Sequence, residues 1–177
     1  SKLGSSQWNK AKKRATEKAY DIAANLLEIY ARREAGSGFN FILDKTEYET
    51  FCASFPFEET PDQASTIASV IKDMTSTKVM DRLVCGDVGF GKTEVAIRAI
   101  FKAYLSNRLS VFLCPTTILA DQHYITCSER LAEYGVTVSL ISRFQSMGSQ
   151  KDIIQNLGNR KIDLLIGTHR LLSNDIK

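Results

Sequence analysis

The sequence predicts an α/β fold in which a parallel sheet is covered by helices and preceded by a long α-helix. From residue 82 to residue 167, short apolar runs alternate with helical stretches, as expected for parallel strands that are buried on both faces. A glycine-rich loop joins the first of these runs to the helical stretch that follows it. Residues 5–35 contain neither Pro nor Gly, and their apolar residues recur at helical spacing.

The first element is predicted to be one helix over about residues 5–35, ended by the turn Gly36-Ser37-Gly38. Its apolar residues are three or four positions apart and are Trp8, Ala11, Ala15, Ala19, Ile22, Leu26 and Ile29. Because such a stripe is unfavourable in water, we expect this helix to pack on the following domain, more loosely near Trp8. Residues 1–35 also hold eight Lys/Arg against four Asp/Glu, whereas residues 36–177 hold fifteen against sixteen. A basic run of this kind is usually the solvated face of a helix.

The remaining elements follow from the same periodicities. A short helix is expected around residues 45–53, and Thr60, Pro61 and Gln63 form a capping box that starts a helix running to about Met74. Strands are predicted at residues 82–85, 110–114, 136–141 and 162–166. The helices between the strands are predicted at residues 92–105, 118–134 and 150–157.

Composition excludes several classes of protein. No apolar run reaches the roughly 18 residues of a membrane span, and the first residues carry no secretion signal, so a cytoplasmic protein without a membrane role is expected. The cysteines form no CxxC pair and are accompanied only by His123 and His169, so a zinc site is not expected. Cys85 and Cys114 lie in predicted strands and are expected to be buried, reduced thiols.

The strongest motif is a complete phosphate-binding loop, GxxxxGK[ST], between a predicted strand and a predicted helix. It consists of Gly86, Asp87, Val88, Gly89, Phe90, Gly91, Lys92 and Thr93. The glycines let successive backbone N–H groups face an anion, and the helix N-terminus adds its positive end. Lys92 is expected to reach the β- and γ-phosphates of ATP, and the Thr93 hydroxyl to bind Mg²⁺. The alternative is a glycine-rich turn with an incidental lysine.

The segment PFEETPDQ, residues 56–63, precedes the loop and resembles the adenine-reading motif of superfamily 2 helicases. The resemblance implies that the ring of Phe57 stacks on the base. It also implies that the amide of Gln63 donates to and accepts from the Hoogsteen edge of adenine. Without the loop downstream, Phe57 and Gln63 could equally be a core residue and a helix cap.

Three later segments resemble DNA-contacting motifs of the same superfamily, in the same order. They are PTTILADQH at residues 115–123, SRF at 142–144 and GTH at 167–169, each after a predicted strand. The resemblance implies phosphate contacts from Thr116, Thr117, Arg143, Phe144, Thr168 and His169. Taken singly, each has a plain alternative: the threonines could cap a helix, His169 could be a core histidine, and Arg143 could be a surface charge.

Together these motifs resemble the branch of superfamily 2 that contains RecG-type helicases and bacterial transcription-repair coupling factors. Residues 2–33 resemble the linker helix of the coupling-factor family, between its polymerase-binding module and its motor. The resemblance implies a RecA-like domain over residues 51–177, after a helical linker over residues 1–50. It implies a monomeric, ATP-dependent double-stranded DNA translocase that displaces stalled RNA polymerase and partners excision-repair proteins. A RecG-like branch-migration helicase and a non-catalytic interaction module remain alternatives.

The family's acidic DExx box and its arginine finger are missing from these residues. Asp163 and Asp175 are late acidic residues, but neither stands in a DExx context. Both missing groups are expected beyond residue 177. Because phosphoryl transfer depends on positioning and charge stabilisation, we expect the 177 residues alone to bind nucleotide without turning it over.

Overall fold

The computed structural model describes residues 6–41 and 45–176. The helices are α1 (Ser6–Ala35), α2 (Lys45–Ala53), α3 (Pro61–Met74), α4 (Lys92–Leu105), α5 (Thr117–Leu131) and α6 (Met147–Gly158). The strands are β1 (Ser110–Leu113), β2 (Val138–Ile141) and β3 (Leu164–Gly167). Two 3₁₀ helices, Ala132–Tyr134 and His169–Leu172, follow α5 and β3. The described residues contain no helix with the length and apolar character needed to cross a membrane.

The sheet is parallel and has the order β1-β3-β2, so the last strand in the sequence is the central one. Leu113 of β1 and Ile141 of β2 both lie in register with Gly167 of β3. The three strands therefore end at the same level. The loops that follow them leave from one edge, which is where open α/β sheets place their ligands.

Both faces of the central strand are covered, as the sequence predicts. Leu164 and Ile166 belong to a core cluster that also contains Phe101 of α4 and Leu131 of α5. Leu165 points to the other cluster, with Leu171 and residues of α6. Alternate side chains of a strand point to opposite faces, so this division follows from the pleat.

Helices α2 and α3 pack beside the phosphate-loop helix α4. Phe51 of α2 is fully buried and stacks on Phe101 with ring centroids 4.1 Å apart. The predicted capping box is present at the start of α3, where the Thr60 side chain accepts from Gln63 N and the Gln63 side chain accepts from Thr60 N. The cap fixes where α3 begins, and with it the position of Gln63.

The predicted strand at residues 82–85 is wrong. The segment is extended but belongs to no strand, Leu83 is 86% exposed, and Cys85 is exposed rather than buried. The physical reason is that a strand needs a neighbour for its backbone hydrogen bonds, and in the described part of the chain the sheet begins at β1. Cys114 is buried, as expected.

The expected packing of α1 on the domain is also wrong. The helix forms over Ser6–Ala35, yet none of these described residues is buried, and Leu26 and Ile29 are half-exposed. Its C-terminal end is tied down: Arg33 forms an ion pair with Asp81, and the Gly38 N–H donates to Thr77 O at 2.7 Å. Spacing establishes that a helix has an apolar face but not which surface meets it. Here α3, α4 and α5 bury their apolar residues among themselves and the sheet.

Candidate functional site

The phosphate loop has a conformation that only glycine adopts readily. Gly89 has φ +87° and Gly91 has φ +70°, both in the left-handed region. Gly91 is also the N-cap of α4 and provides no side-chain cap, so the first N–H groups of this helix are available to an anion. A Cβ at Gly91 would lie 2.0 Å from Gln63 Nε2, which shows how closely α3 approaches the loop.

Lys92 holds its ammonium group inside the loop. Its Nζ donates to Gly86 O at 2.7 Å and to Asp87 O at 2.5 Å. An ammonium has three donors, so one remains for an incoming phosphate, and the two carbonyls can be exchanged for phosphate oxygens. The ammonium group therefore lies inside the loop, as the motif predicts.

A nucleotide with Mg²⁺ fits the chemistry of these residues. The next residue, Thr93, lines the large cavity beside the loop and supplies a hydroxyl. The described residues contain no cluster of three His, Cys, Asp or Glu that could hold a metal ion alone. Mg²⁺ is usually bound by one or two protein groups together with phosphate oxygens and water, so a single hydroxyl next to the phosphate position suits it.

Gln63 is oriented by two hydrogen bonds. Its Oε1 accepts from Thr60 N at 2.9 Å, and its Nε2 donates to Phe90 O of the phosphate loop at 3.0 Å. A carboxamide has two donors and two acceptor sites, so one of each is left. A free donor beside a free acceptor on a fixed amide matches the Hoogsteen edge of adenine. The capping role and the base-reading role are therefore compatible.

A cavity of about 1110 Å³ lies between the phosphate loop and the aromatic segment before α3. Phe57 lines it, is 73% exposed and meets Phe55 edge to face with ring centroids 5.5 Å apart. The far wall comes from the end of α5 and the 3₁₀ helix that follows it, and it includes Arg130 and Tyr134. An exposed ring at the mouth of a cavity next to Gln63 is available for stacking on a base.

A group of four charged residues, two of which line this cavity, was not predicted from the sequence; the two lining residues are Glu94 and Arg130. Arg98 forms ion pairs with Glu59 at 2.7 Å and with Glu94 at 2.9 Å. Arg130 contacts Glu94 at 3.3 Å and donates to Ser54 Oγ at 2.7 Å. Burial opposes the charged form of Arg98, but its interactions with Glu94 and Glu59 outweigh this effect and raise its pKa. The i,i+4 spacing of Glu94 and Arg98 was a usable signal, whereas the Arg130 contact joins residues that are distant in sequence.

The predicted DNA-contacting residues follow the level ends of the three strands. Thr116 is the N-cap of α5 and accepts from Leu119 N at 3.3 Å, so its capping role is real. Arg143 and Phe144 are exposed, with the guanidinium 5.1 Å from the ring centroid. The residues of this group that follow the strand ends are Thr116, Thr117, Arg143, Phe144, Thr168 and His169.

Their exposure differs. Thr117 is half-buried, and Thr168 is 3% exposed, with no hydrogen-bond partner for its Oγ1 among the described residues. His169 is exposed, which excludes the alternative of a core histidine. Backbone groups and small hydroxyl side chains at one sheet edge suit contacts to a phosphate backbone, which carry no sequence information.

Gln150 of α6 joins two of these loops and was not foreseen from the sequence. Its Nε2 donates to Ser142 O at 3.3 Å and to Gln145 O at 3.1 Å. Its Oε1 accepts from Arg170 Nε at 2.9 Å. One amide thus links the loop after β2 to the turn after β3.

A phosphate loop that opens a helix, beside a parallel sheet with level strand ends, defines a nucleotide-binding P-loop α/β domain. The chain belongs to the DEAD/DEAH box helicase family, whose sequence profile matches residues 60–177. Membership of this family implies nucleotide binding, with Mg²⁺ as the usual ion.

Among curated proteins, the chain is similar to transcription-repair-coupling factors. It is 52% identical to those of Haemophilus influenzae and Escherichia coli over 99% of its length, and 47% identical to that of Bacillus subtilis. The chain spans 15% of the length of these relatives.

Among solved structures, the chain is similar to RecG bound to a three-way DNA junction. The TM-score is 0.77 at 34% identity, covering 93% of this chain and 23% of that one. A hypothetical ATP-dependent RNA helicase from Sulfolobus tokodaii matches with a TM-score of 0.55 at 17% identity, over 75% of this chain and 38% of that one. The second likeness concerns the fold alone.

Proposed function

We propose that this chain is the ATP-binding portion of an ATP-dependent DNA motor. The observation that carries the proposal is the junction of two subsites: Gln63 of α3 donates directly to Phe90 of the phosphate loop. A residue that can recognise the base lies in direct contact with the loop that can bind the phosphates, which is the arrangement that a nucleoside triphosphate requires. The DEAD/DEAH box family match over residues 60–177 supports the same proposal.

Each site residue has a distinct role in this proposal. Phe57 stacks on the adenine, and Gln63 pairs with its edge. The loop from Gly86 to Gly91 donates backbone N–H groups to the phosphates, and Lys92 adds a positive charge beside them. Thr93 provides the hydroxyl ligand of Mg²⁺, which when bound neutralises phosphate charge.

The edge of the sheet that carries Thr116, Arg143 and Thr168 is the proposed DNA side. Contacts there would be to the phosphate backbone of double-stranded DNA and independent of sequence. Since the three loops leave strands that end in register, one backbone can touch all of them.

For the whole protein, we propose a double-stranded DNA translocase that displaces stalled RNA polymerase and couples transcription to nucleotide excision repair. The similarity to transcription-repair-coupling factors over 99% of this chain supports it. The partners would be RNA polymerase and excision-repair proteins, bound through parts outside these residues, in a cytoplasmic monomer. Residues 1–50 would be the helical linker and residues 51–177 the beginning of a RecA-like domain, a boundary that falls inside α2.

The second candidate is a RecG-like branch-migration helicase. The TM-score of 0.77 to the RecG structure favours it, but the identity is 34% there against 52% to the coupling factors. The two candidates differ in substrate. A coupling factor would displace a stalled polymerase from linear duplex, whereas a RecG-like helicase would require a branched junction.

The test of nucleotide binding is the Lys92→Ala variant, with a fluorescent ATP analogue as the probe. We expect the variant to lose affinity by roughly two orders of magnitude, because hydrogen bonds to a charged group contribute roughly 1.5–3 kcal/mol each. Lys161→Ala is the matched control, since this exposed lysine precedes β3 at the opposite edge of the sheet. Equal affinity in Lys92→Ala and the unmodified chain, both folded by circular dichroism, would refute the proposed site.

A further inference from the structure

Four charged side chains connect the elements around the proposed nucleotide site. Arg98 and Glu94 belong to α4, Glu59 lies in the segment before α3, and Arg130 lies near the end of α5. We call these four residues the charge network. Arg130 also donates to Phe51 O of α2 at 2.9 Å. The network therefore ties α2, α5 and the aromatic segment to one helix, the helix that starts with Lys92.

The network is buried enough for its members to depend on one another. The Arg98 side chain is 3% exposed and that of Glu94 is 8% exposed. Two carboxylates face two guanidinium groups, so the charges balance. An unpaired charge at such a depth would be strongly unfavourable, because its lost hydration is replaced only by its partners. The glutamates and arginines thus fix each other's positions.

The same guanidinium groups also hold the aromatic segment. Arg98 lies 5.6 Å and Arg130 lies 5.8 Å from the ring centroid of Phe55. Phe55 in turn meets Phe57 edge to face. On the other side of Phe57, Glu59 is anchored to Arg98. The segment that carries the proposed base-stacking ring is thus attached to α4 at positions on both sides of that ring.

This attachment sets the separation of two subsites. The N-terminus of α4 is where the phosphates of a nucleotide would bind, and Phe57 with Gln63 is where its base would bind. Without the network, the exposed ring of Phe57 would retain its neighbours in sequence but lose its fixed relation to α4. The phosphate loop would keep its glycines, Lys92 and the start of α4.

We propose that Glu59, Arg98 and Arg130 are positioning residues for base selection. They hold against α4 the segment that carries Phe57 and leads directly into the Thr60 cap that orients Gln63, so that adenine is preferred over other bases. The inference rests on the proposed nucleotide site and extends it. The inference predicts different effects on base binding and on phosphate binding, whereas a general structural role would weaken both. Loss of the network lowers the affinity that depends on the base and leaves the affinity for the phosphates.

The experiment compares ATP, GTP and inorganic tripolyphosphate by isothermal titration calorimetry on the chain and its variants. Glu59→Gln removes the negative charge that pairs with Arg98 at a partly exposed position. Arg130→Met removes the guanidinium that lies 4.2 Å from the Phe51 ring centroid and leaves an unbranched apolar side chain in its place. We expect ATP affinity to fall by about tenfold in each variant, the size of one charge-assisted hydrogen bond. We expect GTP affinity to change less and tripolyphosphate affinity to stay within about twofold.

The matched control is Arg32→Ala, which breaks a Glu-Arg pair with the same i,i+4 spacing, Glu28–Arg32, on the exposed surface of α1. It should leave all three affinities unchanged.

Equal losses for ATP and tripolyphosphate in a folded variant would overturn the inference, as would an unchanged ratio of ATP to GTP affinity. Should the unmodified chain bind tripolyphosphate and ATP equally, base recognition itself fails and the proposed Phe57 and Gln63 roles fail with it. Should Glu59→Gln lose the circular dichroism signal of the fold, the ATP to tripolyphosphate ratio of Arg130→Met decides.

Discussion

Gly91 has a left-handed backbone, and the space in which a Cβ would lie is already occupied by the Gln63 side chain. Any side chain there meets Gln63 Nε2, which a Cβ would approach to 2.0 Å. We expect Gly91→Ala to lower both the stability and the nucleotide affinity of the chain. The left-handed backbone alone costs about 1–2 kcal/mol for a residue with a Cβ, and displacement of Gln63 removes its bond to Phe90.

Gly158 is the matched control for this substitution. It ends α6, and a Cβ built on it has no heavy atom within 4 Å. Gly158→Ala should therefore be neutral or stabilising by up to about 1 kcal/mol. The two variants are compared by thermal unfolding and by titration with a fluorescent ATP analogue. A Gly91→Ala variant as stable as Gly158→Ala, with full affinity, would contradict the described loop.

Cysteine reactivity provides a second measurement at single residues. Cys85 is exposed, whereas burial raises the pKa of Cys127 to about 12 and raises that of Cys114. Only the thiolate attacks an aromatic disulfide reagent, so at pH 8 we expect Cys85 to react quickly and the two buried thiols to react only on unfolding. Cys85→Ser should remove the fast phase. Cys52 is half-buried, and burial raises its pKa as well, so it is also expected to react slowly. A fast phase that persists in Cys85→Ser would show that Cys52 or one of the two buried thiols is accessible.

At the scale of elements, interactions between residues close in the sequence could be predicted, whereas interactions that depend on a second element in space could not. The capping box at Thr60 and Gln63 involves four consecutive residues, so the sequence contains all of it. The segment 82–85 has the composition of a strand, but strand formation depends on a neighbouring strand, which composition does not supply. For α1, spacing predicted the helix correctly and its packing wrongly, since burial depends on a second surface.

The candidate site shows the same division. Lys92, Thr93 and the loop glycines follow from a motif of eight residues, and Gln63 follows from the resemblance of residues 56–63 to an adenine-reading motif. Arg130 could not be found in this way, because it meets Glu94 across 36 positions of the sequence. Contacts of this kind depend on how α4 and α5 pack, which the order of elements alone does not determine.

The exposed stripe of α1 leads to a stability prediction. Leu26 is 51% exposed, whereas Phe101 is fully buried between α2 and the sheet. We expect Leu26→Ala to change the free energy of unfolding by less than about 0.5 kcal/mol, as for surface positions in general. Phe101→Ala should cost about 3–5 kcal/mol. The measurement is urea unfolding followed by circular dichroism. A large loss in Leu26→Ala would mean that this stripe is covered in solution.

At the scale of the whole molecule, the level strand ends predict one shared DNA surface. Arg143 is exposed on the loop after β2, and Lys161 is exposed at the opposite edge of the sheet. We expect weak duplex binding that falls steeply with salt, with a slope of log affinity against log salt that decreases by about one unit in Arg143→Ala. The measurement is fluorescence anisotropy with a labelled duplex at several salt concentrations.

Lys161→Ala is the control for this measurement and should leave the slope unchanged. If the slope stays the same in Arg143→Ala, the DNA phosphates are contacted by other residues. The basic residues of α1 would then be the next to replace, beginning with Lys12 and Lys13.

The central position of β3 also governs when the molecule can fold. Neither β1 nor β2 pairs with the other, and each finds its partner only in residues 164–167. A nascent chain that has been synthesised only as far as β2 therefore contains no complete strand pair among the described elements. Leu164 and Ile166, which complete the main core cluster, arrive last. Because long-range parallel pairing is slow, Phe101 and Leu131 lack the strand side of their core cluster until then. We expect a chain that ends at residue 160 to retain helical circular dichroism but to unfold without a cooperative transition, whereas a chain that ends at residue 176 unfolds cooperatively.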